Sequence, residues 1–397
     1  MLRPLIALTL LLAGCPTEEL PVVEDPTPAP PAITVALEDA PEVDAAVQEI
    51  VDADELTGVT VGIARGQTIV YLQGFGYADV EAEIPVDPSV TRFRWASVAK
   101  SLAGVVAVQG IADGITALDT DVEATVPDYV VPDRYLPGDC QASACVESLP
   151  EEERAITLQQ LLNHTAGIQH YGNGLVYPVP PPSATDDPFV NTGIAWAIDY
   201  FANAPLVSRP GVAYDYSTFG YNLAGVVLEE LHDGTPFGEL VDAGIAQPLG
   251  MTTMSPDFQW EEIPNRAIGY VNDNGTIGRD GDNDVSWKLP GGGFLSSGED
   301  LTRYCAGLLG DPIVTDEERE LLWTTGEPND DYGLGFGVGT WDGEAYISHT
   351  GAQQKTRTAL ILLPESDLCF TVMTNATWAN PGALGRAVRD AWLSGPS

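Results

Sequence analysis

The stretch "RFRWASVAKSL", residues 92–102, places Lys100 three residues after Ser97 in a chain that has only three lysines among its 397 residues. Positions three apart on a helix share a face, so the Lys100 amine would lie one turn from the Ser97 hydroxyl. A serine becomes a strong nucleophile only when a neighbouring base takes its proton, and a desolvated, neutral lysine can be that base. The segment that Ser97 opens, "SVAKSLAGVVAVQGIADG", has helical apolar spacing and a glycine-containing end, which predicts Ser97 at a helix start. The positive potential of that helix end would favour an oxyanion forming beside the serine. Such a pair serves acyl transfer. A four-residue pattern also arises by chance, and its meaning depends on the rest of the chain.

Composition limits the alternatives. With 58 acidic against 17 basic residues the formal net charge is -41. A surface this negative repels nucleic-acid phosphates and anionic lipid headgroups, which argues against a polyanion-binding role and suits a solubility adaptation to salt. The length and a hydrophobic content of 44% give core enough for one large catalytic domain or two small ones. The four histidines, His164, His170, His232 and His349, form no HExxH pair, and no cysteine spacing suits zinc, so neither a metal nor another cofactor is expected. Asp280, Asp282 and Asp284 alternate as calcium-loop ligands do, but the run lacks the glycine and the distal glutamate of that pattern.

The first twenty residues, "MLRPLIALTLLLAGCPTEEL", carry Arg3 and an apolar run from Leu5 to Leu12, too short to span a bilayer and suited to a signal-peptide core. The run ends in "LAGC", which resembles the bacterial lipobox. Residues 1–14 would then be a lipoprotein signal peptide and Cys15 the lipid anchor, with an ordinary secretory signal as the alternative. Residues 15–35, rich in proline and acid, would tether a domain spanning 36–397 to the cell envelope. Export permits a loop-closing disulfide between Cys140 and Cys145, whereas Cys305 and Cys369 sit in apolar contexts and read as buried thiols.

These residues need a scaffold. "PEVDAAVQEIVDADEL" reads as a first helix, and "GVTVGIARGQTIVYLQGFGYADV" as two alternating strands joined by a glycine turn. Near the other end, "YGLGFGVGTW", "EAYISHTG", "TRTALILLP" and "LCFTVMTNA" read as strands, closed by a helix over 382–393. The expected fold class is α+β, one sheet built from both termini with a mainly helical region inserted. His164 in "NHTAG" and Tyr214 read as structural residues, the first at a helix end stopped by Gly167.

Six stretches in order carry a family resemblance: "FRWASVAKSLAGVVAVQGIADGITALDTDV", "ITLQQLLNHTAGIQHY", "RPGVAYDYSTFGYNLAGVVLEEL", "PLGM", "GGGFLSSGEDLTRY" and "ISHTG". Together, over about residues 36–395, they resemble the serine beta-lactamase-like family, which includes class C beta-lactamases, D-Ala-D-Ala carboxypeptidases, D-aminopeptidases and esterases. The resemblance implies a beta-lactamase/transpeptidase-like fold with Ser97 as acylated nucleophile and Lys100 as its proton partner. Tyr216 in "YST" matches the tyrosine of the second motif, an acid/base group. His349, Thr350 and Gly351 match the third motif, and the backbone amides of Ser97 and Ala352 would form the oxyanion hole. Histidine rather than lysine at 349 resembles the peptidase and esterase branches. Thr218 departs from the family's asparagine, exchanging an amide that donates and accepts for one hydroxyl. Lys355 and Arg357 follow "HTG" where the family runs through glycines; they are surface charges or a clamp for a substrate carboxylate. The function implied is an envelope-anchored serine hydrolase acting on a D-amino-acid-type peptide amide or an ester. A beta-lactamase, or an impaired binding lipoprotein on the same fold, is the alternative. The partner expected is a small-molecule or peptide substrate, with the membrane reached through the lipid anchor alone.

Overall fold

Strands from the two ends of the chain meet in one eight-stranded sheet. The structure is a computed structural model that describes residues 33–137, 145–172, 175–178, 194–258 and 261–395, all of them in one compact unit spanning 31–397. The signal peptide, Cys15 and Cys140 lie outside the described residues.

The amino-terminal strands are β1 (Thr34–Val35), β2 (Gly58–Arg65), β3 (Thr68–Asp79) and β4 (Ile84–Pro85), and the carboxy-terminal ones are β5 (Gly337–Trp341), β6 (Glu344–Gln353), β7 (Thr356–Leu363) and β8 (Leu368–Thr374). Their order is β1-β3-β2-β8-β7-β6-β5, with β4 on β3. All pairs are antiparallel except β1 with β3. The expected α+β class, with a sheet from both termini, is what the chain forms. One boundary moves: Ile33 is buried and Thr34–Val35 pairs with β3, so the fold begins inside the stretch expected to be tether. An apolar Ile33 docked in the core holds that segment down.

Alternation with period two splits the sheet's side chains between two layers. Val59, Val61, Ile63, Ala359, Ile361, Phe370 and Val372 face helices α1 (Pro41–Ala53) and α5 (Pro381–Ser394), whose Val43, Val47, Val51, Leu384 and Val388 complete that core. Ala64, Leu360, Leu362, Cys369 and Met373 face the other way, into the larger core shared with α2 (Lys100–Ala112), α3 (Thr218–Leu231) and α4 (Gly298–Gly307). Helix α2 is buried from Lys100 through Val108, which explains why its apolar residues run on all sides. The site lies where α2 begins, between β6 and α3. Cys305 and Cys369 are free and buried, and Cys145 is disulfide-bonded.

Candidate active site

Ser97 sits in a 3-10 turn, Ala96–Ala99, that runs directly into α2. The sequence predicts one helix from Ser97; the tighter turn is the difference, and Ala96 at its head has a φ of 48°. A non-glycine residue in that region stores strain, held here by the packing around it. Trp95 donates its backbone NH to Phe294 O at 2.9 Å and its indole NH to Ser296 Oγ at 2.7 Å. On the other side β6 passes so close that a Cβ on Gly351 would lie 2.5 Å from Trp95 O and 3.2 Å from Ser97 N. Only glycine permits that approach, which brings the strand's backbone beside the nucleophile.

Lys100 is 0% exposed, and its Nζ lies 2.9 Å from Gly291 O, 3.1 Å from Thr218 Oγ1 and 3.4 Å from Ser97 Oγ. Burial, and then the charge of Lys288, push its pKa well below the ordinary value. A neutral amine has two protons and one lone pair. In that neutral form, protons given to the Gly291 carbonyl and the Thr218 hydroxyl would leave the lone pair for Ser97. Desolvation makes the base, and two acceptors aim it.

Thr218 opens α3, whose cap is Ser217: its hydroxyl accepts from Gly220 N at 2.9 Å. Two histidines support the same helix start, with Ser217 N donating to His164 Nδ1 at 3.1 Å and Thr218 N to His170 Nδ1 at 3.0 Å. Both accept through Nδ1 and are therefore neutral. Burial lowers both pKa values, that of His170 to about 4. Thr218 is also in hydrogen-bond contact with Tyr171. Its oxygen accepts from Lys100, which leaves one hydroxyl proton for Tyr171 or a substrate. Tyr216, two residues before Thr218, has its ring centroid 4.3 Å from that of His164 at a 41° tilt and 4.8 Å from Lys100 Nζ, and is in hydrogen-bond contact with Ser97. Burial raises its pKa, so it stays a phenol and can give a proton.

The third motif lies on β6. His349 is buried; its Nε2 accepts from Tyr332 OH at 2.9 Å and its Nδ1 is 2.7 Å from Thr350 O, which makes Nδ1 the protonated nitrogen. Burial lowers its pKa to about 3, so it is a neutral strut beside the site. Thr350 and Ala352 are exposed. The pairing of β5 stops at Ser348, so residues 349–353 form an open strand edge on that side. Lys355, at the β6–β7 turn, is ion-paired with Asp282, and its backbone NH donates to Asp280 at 2.9 Å. Arg357 donates to the carbonyls of Gln353 and Thr356 at 2.8 and 2.7 Å. A substrate carboxylate would have to displace these partners. Asp284 accepts from Ser286 at 2.7 Å, so the three alternating aspartates serve three different contacts.

A profile of the Beta-lactamase family matches residues 43–391. The chain belongs to the beta-lactamase family. Among relatives, the mouse mitochondrial serine beta-lactamase-like protein LACTB is 25% identical over 85% of this chain and 75% of its own. The Staphylococcus aureus protein flp is 22% identical over 84% of this chain and 62% of its own. Among solved structures, the octameric penicillin-binding protein homologue from Pyrococcus abyssi aligns with a TM-score of 0.72 and 24% identity, covering 90% of this chain and 77% of that one. A D-stereospecific amidohydrolase from Streptomyces aligns at 0.69 and 21%, covering 91% and 100%. The fold is that of beta-lactamase-like hydrolases.

Within this family fold, Ser97, Lys100, Tyr216 and Thr218 converge, and Gly351 brings β6 beside them. The sequence singled out neither His170 and Tyr171, which support and contact Thr218, nor Tyr332, nor Lys288. Among the motif stretches, "LLNHTAGIQHY" held the first two within two residues of one another, a crowding of polar rings that was the available signal.

Proposed function

We propose that this protein is a serine hydrolase working through an acyl-enzyme at Ser97. The observation that carries the reading is the buried Lys100, its pKa pushed well below the ordinary lysine value by burial, with its Nζ 3.4 Å from Ser97 Oγ. Lys100 takes the hydroxyl proton as Oγ attacks the substrate carbonyl, and the backbone NH groups of Ser97 and Ala352 receive the oxyanion. Tyr216, kept as a phenol, donates its proton to the leaving group and regains one from the Lys100 ammonium. Water then attacks the acyl carbonyl as Lys100 takes its proton; the C–Oγ bond breaks, the Lys100 ammonium returns that proton to Ser97 Oγ, and the free acid leaves.

The substrate is an ester or a D-amino-acid-type amide, with esters preferred. Thr218 has one hydroxyl proton, for which Tyr171 competes with a substrate carbonyl, and an alkoxide leaves with less help than an amine. Names among the structural relatives point to the same classes: a D-amino acid amidase from Ochrobactrum anthropi and EstCE1, a hydrolase with promiscuous acyltransferase activity. The sequence "LAGC" supports a lipid anchor at Cys15 in a bacterial envelope. A fluorescent fluorophosphonate should label the wild type once and leave Ser97→Ala unlabelled. Labelling that persists in the variant, or none in a folded wild type, refutes the proposal.

A further inference from the structure

Only three lysines occur in the chain, and two have partners already described: Lys100 in the catalytic contacts and Lys355 on Asp282. The third, Lys288, is 3% exposed and makes no hydrogen bond or ion pair among the described residues. Its ammonium stands instead over three aromatic rings, 5.3 Å from the centroid of Tyr177, 5.5 Å from Tyr171 and 5.7 Å from Trp287. Aromatic faces offset part of the cost of desolvating a cation but supply no acceptor for its N–H groups.

Among the described residues this cation has no fixed counter-ion. Asp257 and Asp284 favour its charged form, yet neither reaches salt-bridge distance. Asp257 is taken by Arg94 and Arg266, and Asp284 accepts from Ser286. Arg94 repels it, and it in turn acts on Lys100 and His170. Burial and Arg94 bring its pKa to about 7, so near neutrality the amine is half protonated. The position is next to the chemistry. Tyr171, one wall of the box, is in contact with Thr218, which accepts from Lys100, and Gly291, whose carbonyl also takes the Lys100 amine, is three residues along from Lys288.

We infer that Lys288 is the specificity residue of this site, the cation that binds a free carboxylate carried by the substrate a few bonds from the scissile carbonyl. This rests on the acyl-transfer reading for the word substrate, and the binding itself does not depend on turnover. An incoming carboxylate supplies the acceptor that Lys288 lacks, while the aromatic walls receive the methylene chain between the two carbonyl groups. Because a carboxylate stabilises the ammonium, its binding takes up a proton wherever the free amine has lost one. Affinity for acidic substrates therefore falls as pH rises above 7, about tenfold per unit.

The test is equilibrium binding to the Ser97→Ala protein, which cannot turn over the probe. Methyl hydrogen glutarate and methyl pentanoate have the same chain length and differ in one charged end. Calorimetric titration at pH 6 should give a dissociation constant ten- to a hundredfold lower for the glutarate, the range of one charge-assisted hydrogen bond. The preference should shrink toward unity by pH 9, and Lys288→Met on the Ser97→Ala background should abolish it at pH 6. The pH series on unaltered Lys288 stands as a second reading independent of that variant. Equal affinities at pH 6, a preference that does not change with pH, or one that survives Lys288→Met would each overturn the inference. Failure of the hydrolase reading would show instead as an unlabelled wild type in the fluorophosphonate experiment.

Discussion

Replacing Thr218 by valine removes one oxygen and leaves the side-chain shape, so it isolates what that hydroxyl does for Lys100. The Thr218 methyl packs against α-carbon space at Gly291, where an added Cβ would come within 2.7 Å of it, and valine keeps that contact. What is lost is the acceptor 3.1 Å from Lys100 Nζ. The amine then holds one fixed proton, on Gly291 O, and can turn so that a second N–H rather than the lone pair faces Ser97. A net hydrogen bond between neutral groups is worth about 0.5–1.5 kcal/mol, so acylation should slow by roughly three- to tenfold. Because the base serves every substrate, kcat/KM should fall by the same factor for a matched ester and amide. Steady-state kinetics on that pair at a pH above the Lys100 ionisation measures the effect. An unchanged kcat/KM, or a loss confined to the amide, would refute the claim that Thr218 aims the lysine.

Three further outcomes follow from the same geometry. Thr218→Asn restores an amide that can accept from Lys100 while offering a separate NH2 to substrate, and it should raise the amide-to-ester ratio of kcat/KM by roughly tenfold or more. His349 has a folded pKa of about 3 against an unfolded value near 6.5, so the unfolded chain binds more protons between them and stability is lost as pH falls through that window. Urea denaturation should show a slope there that His349→Asn diminishes, with a ceiling of about 5 kcal/mol. For Lys288 the folded pKa of about 7 also lies below the unfolded value near 10.5, so stability rises with pH between them; Lys288→Met should gain up to about 5 kcal/mol at pH 7, with the gain vanishing above pH 10.5.

The residues readable from sequence were those whose meaning is local. Ser97 and Lys100 sit three apart on one continuous backbone, and that spacing alone fixes their proximity. Short, nearly continuous apolar runs in "TRTALILLP" and "LCFTVMTNA" marked the strands, because central strands of the sheet are buried on both faces. Meanings created by tertiary contact were hidden. Lys355 and Arg357 look like free cations beside "HTG", but Asp282 reaches Lys355 from a loop more than seventy positions earlier. Lys288 looks ordinary until Tyr171 and Tyr177, over a hundred positions away, close around it. The tether's end was misplaced for a similar reason: Ile33 lies among prolines and alanines, and only the core pocket that receives it marks it as folded.

The rate of Ser97 acylation as a function of pH bears most directly on the central claim that a neutral Lys100 is the base. A chromogenic ester or fluorophosphonate mixed with the protein in stopped flow, with the adduct located by peptide mass spectrometry, gives both the rate and its site. The account predicts one adduct, on Ser97, forming at a rate that rises with pH through an ionisation well below the ordinary lysine value and then levels off. That ionisation should vanish with the rate in Lys100→Met. An adduct at another residue, or a rate that keeps climbing to the pKa of an ordinary exposed lysine near 10.5, would contradict it.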